Sequence, residues 1–244
     1  MAEASADAGC ITVALTPTAT GYVMNSGLNM VGAWFDYGDG LNAMGVPPGQ
    51  CETTGGWMPS QCSSITFPPP PPSDGGVNSF PQATPGSMCL SGTAAQVPAL
   101  GASYDYSNVF GIGIGLNFYD PPPGTQEMPY DAPMNHVVGF QFMVSGLPTG
   151  TVLAEIDETA TDMAPFDAYS YSITGNGLTT VMLAAGIGPG ELSESFTPPS
   201  GTTEPPFDPS TVDAIHFHVL TSTSGPITVS NFCISDLSAI VCGL

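Results

Sequence analysis

Three segments of this chain alternate apolar with small or polar residues at a period of two. That period describes extended strands with one buried face and excludes amphipathic helices. From Phe110 through Phe118, Ile112, Ile114, Leu116 and Phe118 fall on one side, with Gly111, Gly113, Gly115 and Asn117 on the other. Val138, Phe140, Phe142 and Val144 repeat the pattern against Gly139, Gln141 and Met143. Ile215, Phe217 and Val219 repeat it again against His216 and His218. Further strands are expected at Cys10–Leu15, Leu28–Tyr37, Ala94–Leu100, Val152–Ile156, Tyr169–Ile173, Leu178–Leu183 and Ile227–Ile240. Pro121-Pro122-Pro123, Pro198-Pro199, Pro205-Pro206 and frequent glycine mark the connections, since proline ends strands and glycine opens turns. About ten short strands with almost no helical periodicity predict an all-β fold, an antiparallel two-sheet sandwich of the jelly-roll type.

The chain has 244 residues and no Lys or Arg against 21 Asp and Glu, a formal charge of −21. Such a chain still folds. Spread over a globule of this size the acids sit roughly 20 Å apart, more than two screening lengths of about 8 Å in physiological salt. Exposed salt bridges contribute only about 0–1 kcal/mol each, so their absence costs little. A hydrophobic fraction of 42 % supplies a core and separates the chain from disordered acidic sequences. The missing cations do exclude functions. Nucleic-acid phosphates and anionic membrane surfaces both require Lys or Arg to displace counterions, so neither is an expected partner. No apolar run reaches the roughly 18 residues of a membrane-spanning helix.

Apolar positions continue from Ile11 to Ile240 without a break in composition, which argues for one domain over residues 10–244 behind a disordered tail at 1–9. Residues 45–87 differ: they hold Trp57 and the five prolines Pro68 to Pro72, which favour polyproline II and cannot lie within a central strand. This stretch is expected as a long surface excursion. The cysteines at 10, 51, 62, 89, 233 and 242 show no metal-ribbon or haem spacing. An even number in a Pro- and Gly-rich chain indicates disulfides formed in an oxidising compartment. Six cysteines allow 15 pairings, of which Cys51–Cys62 within a loop and Cys10–Cys242 joining the chain ends are favoured, leaving Cys89 and Cys233. A secreted or cell-surface protein is expected, with its signal peptide absent from this sequence; Ala4-Ser5-Ala6 resembles the small-residue flank of a cleavage site.

Candidate chemistry is sparse. His216 and His218 stand two apart on a strand, so their imidazoles leave one face together, as a shared ligand or metal would require. Trp34-Phe35-Asp36-Tyr37-Gly38-Asp39-Gly40 sets aromatics beside carboxylates at a turn. Calcium takes six to eight oxygen ligands, and Asp36, Asp39 and Asp236 are its candidate side chains, with Glu155, Asp157 and Glu158 a further acidic group. No nucleophile elbow, zinc-protease helix, P-loop or dinucleotide turn occurs, so no catalytic residue is assigned and no enzyme is expected. Glu155 and Asp157 share a strand face as paired hydrolase acids would, but exposed acids at a loop edge are the commoner explanation.

Met88-Cys89-Leu90-Ser91-Gly92-Thr93-Ala94-Ala95-Gln96-Val97, Gly111 to Asn117, Asp213 to Val219 and Asn231-Phe232-Cys233-Ile234-Ser235-Asp236-Leu237 resemble secreted bacterial jelly-roll domains of the galactose-binding or carbohydrate-binding-module type. The resemblance spans about residues 25–240 and implies two antiparallel sheets, a concave face for sugars and, often, a structural calcium at one edge. It points to Trp34, Tyr37, Gln141, His216 and His218 as ligand contacts. Aromatic rings would stack on a pyranose while amide and imidazole groups bond its hydroxyls. Without Arg there is no bidentate clamp, so binding is expected to be weak. The leading expectation is a monomeric, non-catalytic module for neutral polysaccharide. The alternative is a structural or surface-exposed acidic protein with no small ligand.

Overall fold

In the computed structural model, residues 9–16, 22–38, 64–66, 87–96, 99–100, 103–104, 111–118, 129–158, 169–183, 193–194 and 207–243 are described. They form β1 (Ile11–Ala14), β2 (Tyr22–Asn25), β3 (Met30–Gly38), β4 (Ser64–Thr66), β5 (Ser87–Ala94), β6 (Ala99–Leu100), β7 (Ser103–Tyr104) and β8 (Gly111–Asn117). The second half adds β9 (Val137–Ser145), β10 (Val152–Glu158), β11 (Tyr169–Ile173), β12 (Gly177–Met182), β13 (Ser193–Glu194), β14 (Val212–Leu220) and β15 (Ile227–Val241). The strand from Ala94 to Leu100 expected from sequence is instead the end of β5 and the start of the small β6–β7 pair.

Two antiparallel sheets carry the fold, a jelly-roll sandwich. One sheet runs β12-β9-β15-β5-β4 with β1 also on β15, and the other runs β13-β11-β10-β14-β8-β3-β2. The excursion expected at 45–87 therefore contributes β4, an edge strand paired to β5; the Cys51–Cys62 loop and the five prolines lie outside the described residues. The apolar half of each alternating segment turns inward, except Val138, which is half-buried where a register shift gives the core position to Val137. Ile112, Ile114, Leu116 and Phe118 on β8 and its end, Phe140, Phe142 and Val144 on β9, and Ile215, Phe217 and Val219 on β14 are all buried. Rings join the two layers: Phe118 stacks on Phe140 with centroids 4.9 Å apart, and Phe142 meets Phe217 edge-on at 4.8 Å. Burying large side chains on both inner faces is the main source of stability, about 1.5–3 kcal/mol for each such residue.

Strand β15 is long enough to serve two partners in turn. Its first half pairs with β5 and its last four residues with β1, while β9 lines the other side. Register shifts interrupt it between Val229 and Phe232 and between Ser235 and Ser238. The left-handed residues Asn231 (φ 55°) and Asp236 (φ 53°) sit in those two shifts, as bulges require, and Asn and Asp tolerate that conformation better than branched residues. Two disulfides staple this strand. Cys10–Cys242 closes the β1–β15 pair just beyond Ile11 and Val241, and Cys89–Cys233 links directly paired residues of β5 and β15.

Candidate functional site

The polar half of the alternation in the seven-stranded sheet forms two register rows on its outer side. Ser170, Glu155, His216, Gly115 and Phe35 are successive cross-strand partners, and Ser172, Leu153, His218, Gly113 and Tyr37 form the next row. Strand β10 thus offers acids two residues apart, and β14 offers histidines two residues apart. Each imidazole bonds not to the residue opposite but to the diagonal one. His216 Nε2 lies 3.0 Å from Asp157 Oδ2, and His218 Nδ1 lies 3.0 Å from Glu155 Oε2. With the carboxylates ionised, the protons sit on Nε2 of His216 and Nδ1 of His218, each N–H donating to an acid. The diagonal reach is what adjacent antiparallel strands allow to long side chains.

Depth separates the two pairs. Glu155 is 6 % and His218 7 % exposed, whereas the side chains of His216 and Asp157 keep 18 % and 22 % of their surface. Burial pulls the His216 imidazole down to about 4, opposed by the Glu155 carboxylate and reinforced by His218. Asp157 at 3.0 Å acts in the same raising sense as Glu155. On β8 the two neighbours of the histidines are glycines, which put no side chain beside the rings. Gly111, at φ +129° and two residues before Gly113, also lies close: a Cβ there would stand 2.1 Å from Val219 O and 3.0 Å from His218 Nε2.

One residue further along β10, the alternation that buries Ala154 and Ile156 faces Glu158 inward as well, where it is fully buried; the register shift beside it leaves its extra residue, Asp213, on β14. Its Oε2 accepts from the backbone N–H of Asp208 at 2.7 Å. Burial raises its carboxyl above the ordinary glutamate value; the Asp208 N–H pulls the other way, and the charges of Asp208 and Asp213 add to the rise.

The expected contact residues divide among three places. His216, His218 and the backbone position of Tyr37 share the outer rows. Trp34 does not: it is 2 % exposed in the core, 6.3 Å from Phe217 and nearly parallel to it, because its position on β3 pairs with the inward Leu116. Gln141 stands on β9 in the other sheet, where its Nε2 donates to Thr180 Oγ1 at 3.3 Å. Of the three aspartates considered for calcium, Asp36 lies on β3 opposite Ile114, Asp39 is outside the described residues, and Asp236 is an exposed bulge residue in the six-stranded sheet. Asp36 and Asp236 therefore belong to different sheets, and among the described residues no three His, Cys, Asp or Glu side chains form a metal-sized group. Glu155, expected as an exposed acid near a loop edge, is buried against His218 instead. The signal was present as matching i, i+2 pairs of acids and histidines. What sequence withheld was the adjacency of β10 and β14, which more than fifty residues of chain separate.

No family model matches this chain, and no curated protein matches it. A similar solved structure is described as "Solution structure, dynamics and binding studies of CtCBM11", at 12 % identity, with 98 % of this chain and 99 % of that chain covered and a TM-score of 0.42. A likeness at that level carries no argument about function, which rests on the residues themselves.

Proposed function

We propose that this chain is a secreted, non-catalytic binding module that takes a neutral polysaccharide on the outer side of its seven-stranded sheet. The observation that carries this reading is the pair of His–carboxylate bonds at 3.0 Å beside the Tyr37 row. His216 and Asp157, the more exposed pair, would bond sugar hydroxyls, and Tyr37 would supply a ring to stack on a pyranose. His218 and Glu155 lie deeper and hold the strand pair that positions them. A polyanionic glycan would meet only carboxylates and neutral groups, so the chemistry favours an uncharged one. The expected calcium stands as a proposal separate from this face, since Asp36 pairs with the inward Ile114 and not with the outer rows. The two disulfides fit an oxidising, extracellular setting.

The test is isothermal titration against a panel of neutral glycans, with calcium and with chelator. Binding is expected to be weak, and His216→Ala to lower affinity at least about tenfold, or ~1.4 kcal/mol. Silence across the panel with calcium present rejects the sugar reading. The depth of Glu155 and His218 favours a second reading, an acidic structural protein whose His–carboxylate pairs serve the fold alone. It predicts that His216→Ala changes stability while no ligand is lost.

A further inference from the structure

The crossing from β11 to β12 contains an Asn-Gly step that is placed for self-modification. Residues Thr174 to Asn176 carry the chain from the seven-stranded to the six-stranded sheet, and Gly177 opens β12 at φ +119°. Asn176 is exposed, and its Oδ1 accepts from the backbone N–H of Leu147 at 3.0 Å. Water has access, and the next residue has no Cβ to block its amide nitrogen; a methyl group at Gly177 would meet no atom within 4 Å, so the site is open. Leu147 N–H points at the atom on which negative charge would develop.

We propose that Asn176 is a spontaneous deamidation site whose cyclisation the Leu147 N–H promotes. The Gly177 amide nitrogen attacks Cγ of Asn176, and the electron pair of the C=O bond moves onto Oδ1, where Leu147 N–H stabilises it as an oxyanion donor does. Collapse of this intermediate expels the side-chain nitrogen, which takes the proton from the Gly177 amide and leaves as ammonia. A succinimide remains. One water molecule then opens either carbonyl, giving an aspartyl or an isoaspartyl residue at 176. No oxidant or reductant is needed. Either product adds one carboxylate, taking the formal charge from −21 to −22. The isoaspartyl form also puts one more carbon into the main chain of a three-residue crossing, which loosens the register of edge strand β12 against β9.

The experiment compares the intact-disulfide protein, folded in mildly alkaline buffer, with the same protein in urea at equal pH and ionic strength. Trypsin has no site in this chain, so chymotryptic peptides are mapped by mass spectrometry, with ¹⁸O-water marking the hydrolysis. One oxyanion donor is worth roughly a hundredfold when ideally aimed, so a folded-state rate at Asn176 about tenfold above the urea rate is expected. Asn29 and Asn231, also exposed but followed by Met30 and Phe232, serve as slow internal references. A folded-state rate equal to or below the urea rate overturns the proposal, as does retention of Asn176 in the folded protein while the urea sample converts.

Discussion

The two outer sides of this sandwich solve one problem in opposite ways. On the seven-stranded sheet the polar rows contain Glu155, Asp157, His216 and His218, locked to one another and largely covered. On the six-stranded sheet the equivalent rows read Leu178, Met143 and Ser235, then Thr180, Gln141, Ser238 and Ala14, then Met182, Gly139, Ile240 and Thr12. None of these residues ionises, and the neighbouring row is joined covalently through Cys89–Cys233. In a chain without Lys or Arg, histidine is the remaining side chain that can neutralise a buried carboxylate. Acids can therefore be buried where histidines meet them, as at Glu155, or where a backbone donor does, as at Glu158. Elsewhere a covered or shared surface has to be built from hydroxyls and apolar groups.

The largest expected effect follows from that difference. Removing one member of a buried, bonded pair leaves the other without compensation, whereas replacing both by apolar groups of similar size is close to neutral. Glu155→Ala is expected to cost about 2 kcal/mol in urea unfolding, and Glu155→Leu with His218→Phe to recover to within about 1 kcal/mol of the parent. Gln141→Ala, which breaks a 3.3 Å bond on the half-buried opposite side, is expected to cost under about 1 kcal/mol. Equal losses for Glu155→Ala and Gln141→Ala would erase the contrast between the two sides.

A pH series sharpens it further, because His216 and Glu158 act with opposite sign. The native His216 prefers to be neutral, so its contribution is complete above its ordinary value of 6.5 and is lost as pH falls from there toward about 4. Native Glu158 also prefers its neutral form. Its contribution is complete below the ordinary value of 4.5 and is lost as pH rises through its higher native value. Repulsion among the acids adds to the alkaline loss. Thermal unfolding should show a stability maximum on the acid side of neutrality, with His216→Gln flattening its acid limb and Glu158→Gln its alkaline limb. A curve that keeps rising through neutral pH would contradict the Glu158 assignment.

Much of this architecture was legible in the chain because period-two alternation is a local signal. Phe140, Phe142, Ile215, Phe217 and Val219 announced their burial within a few residues of sequence, and Tyr169–Ile173 is bounded as the pattern predicts. Trp34 misled because tryptophan suits a sugar platform and a core equally well; only the register of β3 against Leu116 decides between them. Gln141 stands apart from the histidines for a related reason. Alternation says which residues share a face of one strand, but not which sheet that strand joins, and β9 and β14 went to different layers. The bond from His218 to Glu155 depends on long-range strand order and a diagonal offset, neither of which leaves a local trace.

The smallest expected effect tests the neutral side directly. Leu178 and Met143 are cross-strand partners, 63 % and 37 % exposed, so their side chains gain little from burial. Threonine suits an exposed strand position, and exposed substitutions away from special features usually shift stability within about 0.5 kcal/mol. Leu178→Thr combined with Met143→Thr should therefore stay within that range in urea unfolding. It should also leave glycan affinity unchanged, since the proposed contacts lie on the opposite sheet. A loss above about 1 kcal/mol would mean that these two residues are packed under something, for exposed side chains have no such energy to lose. A fall in affinity would move the binding face to the side where Gln141 stands, and the histidine rows would then be left with a structural role.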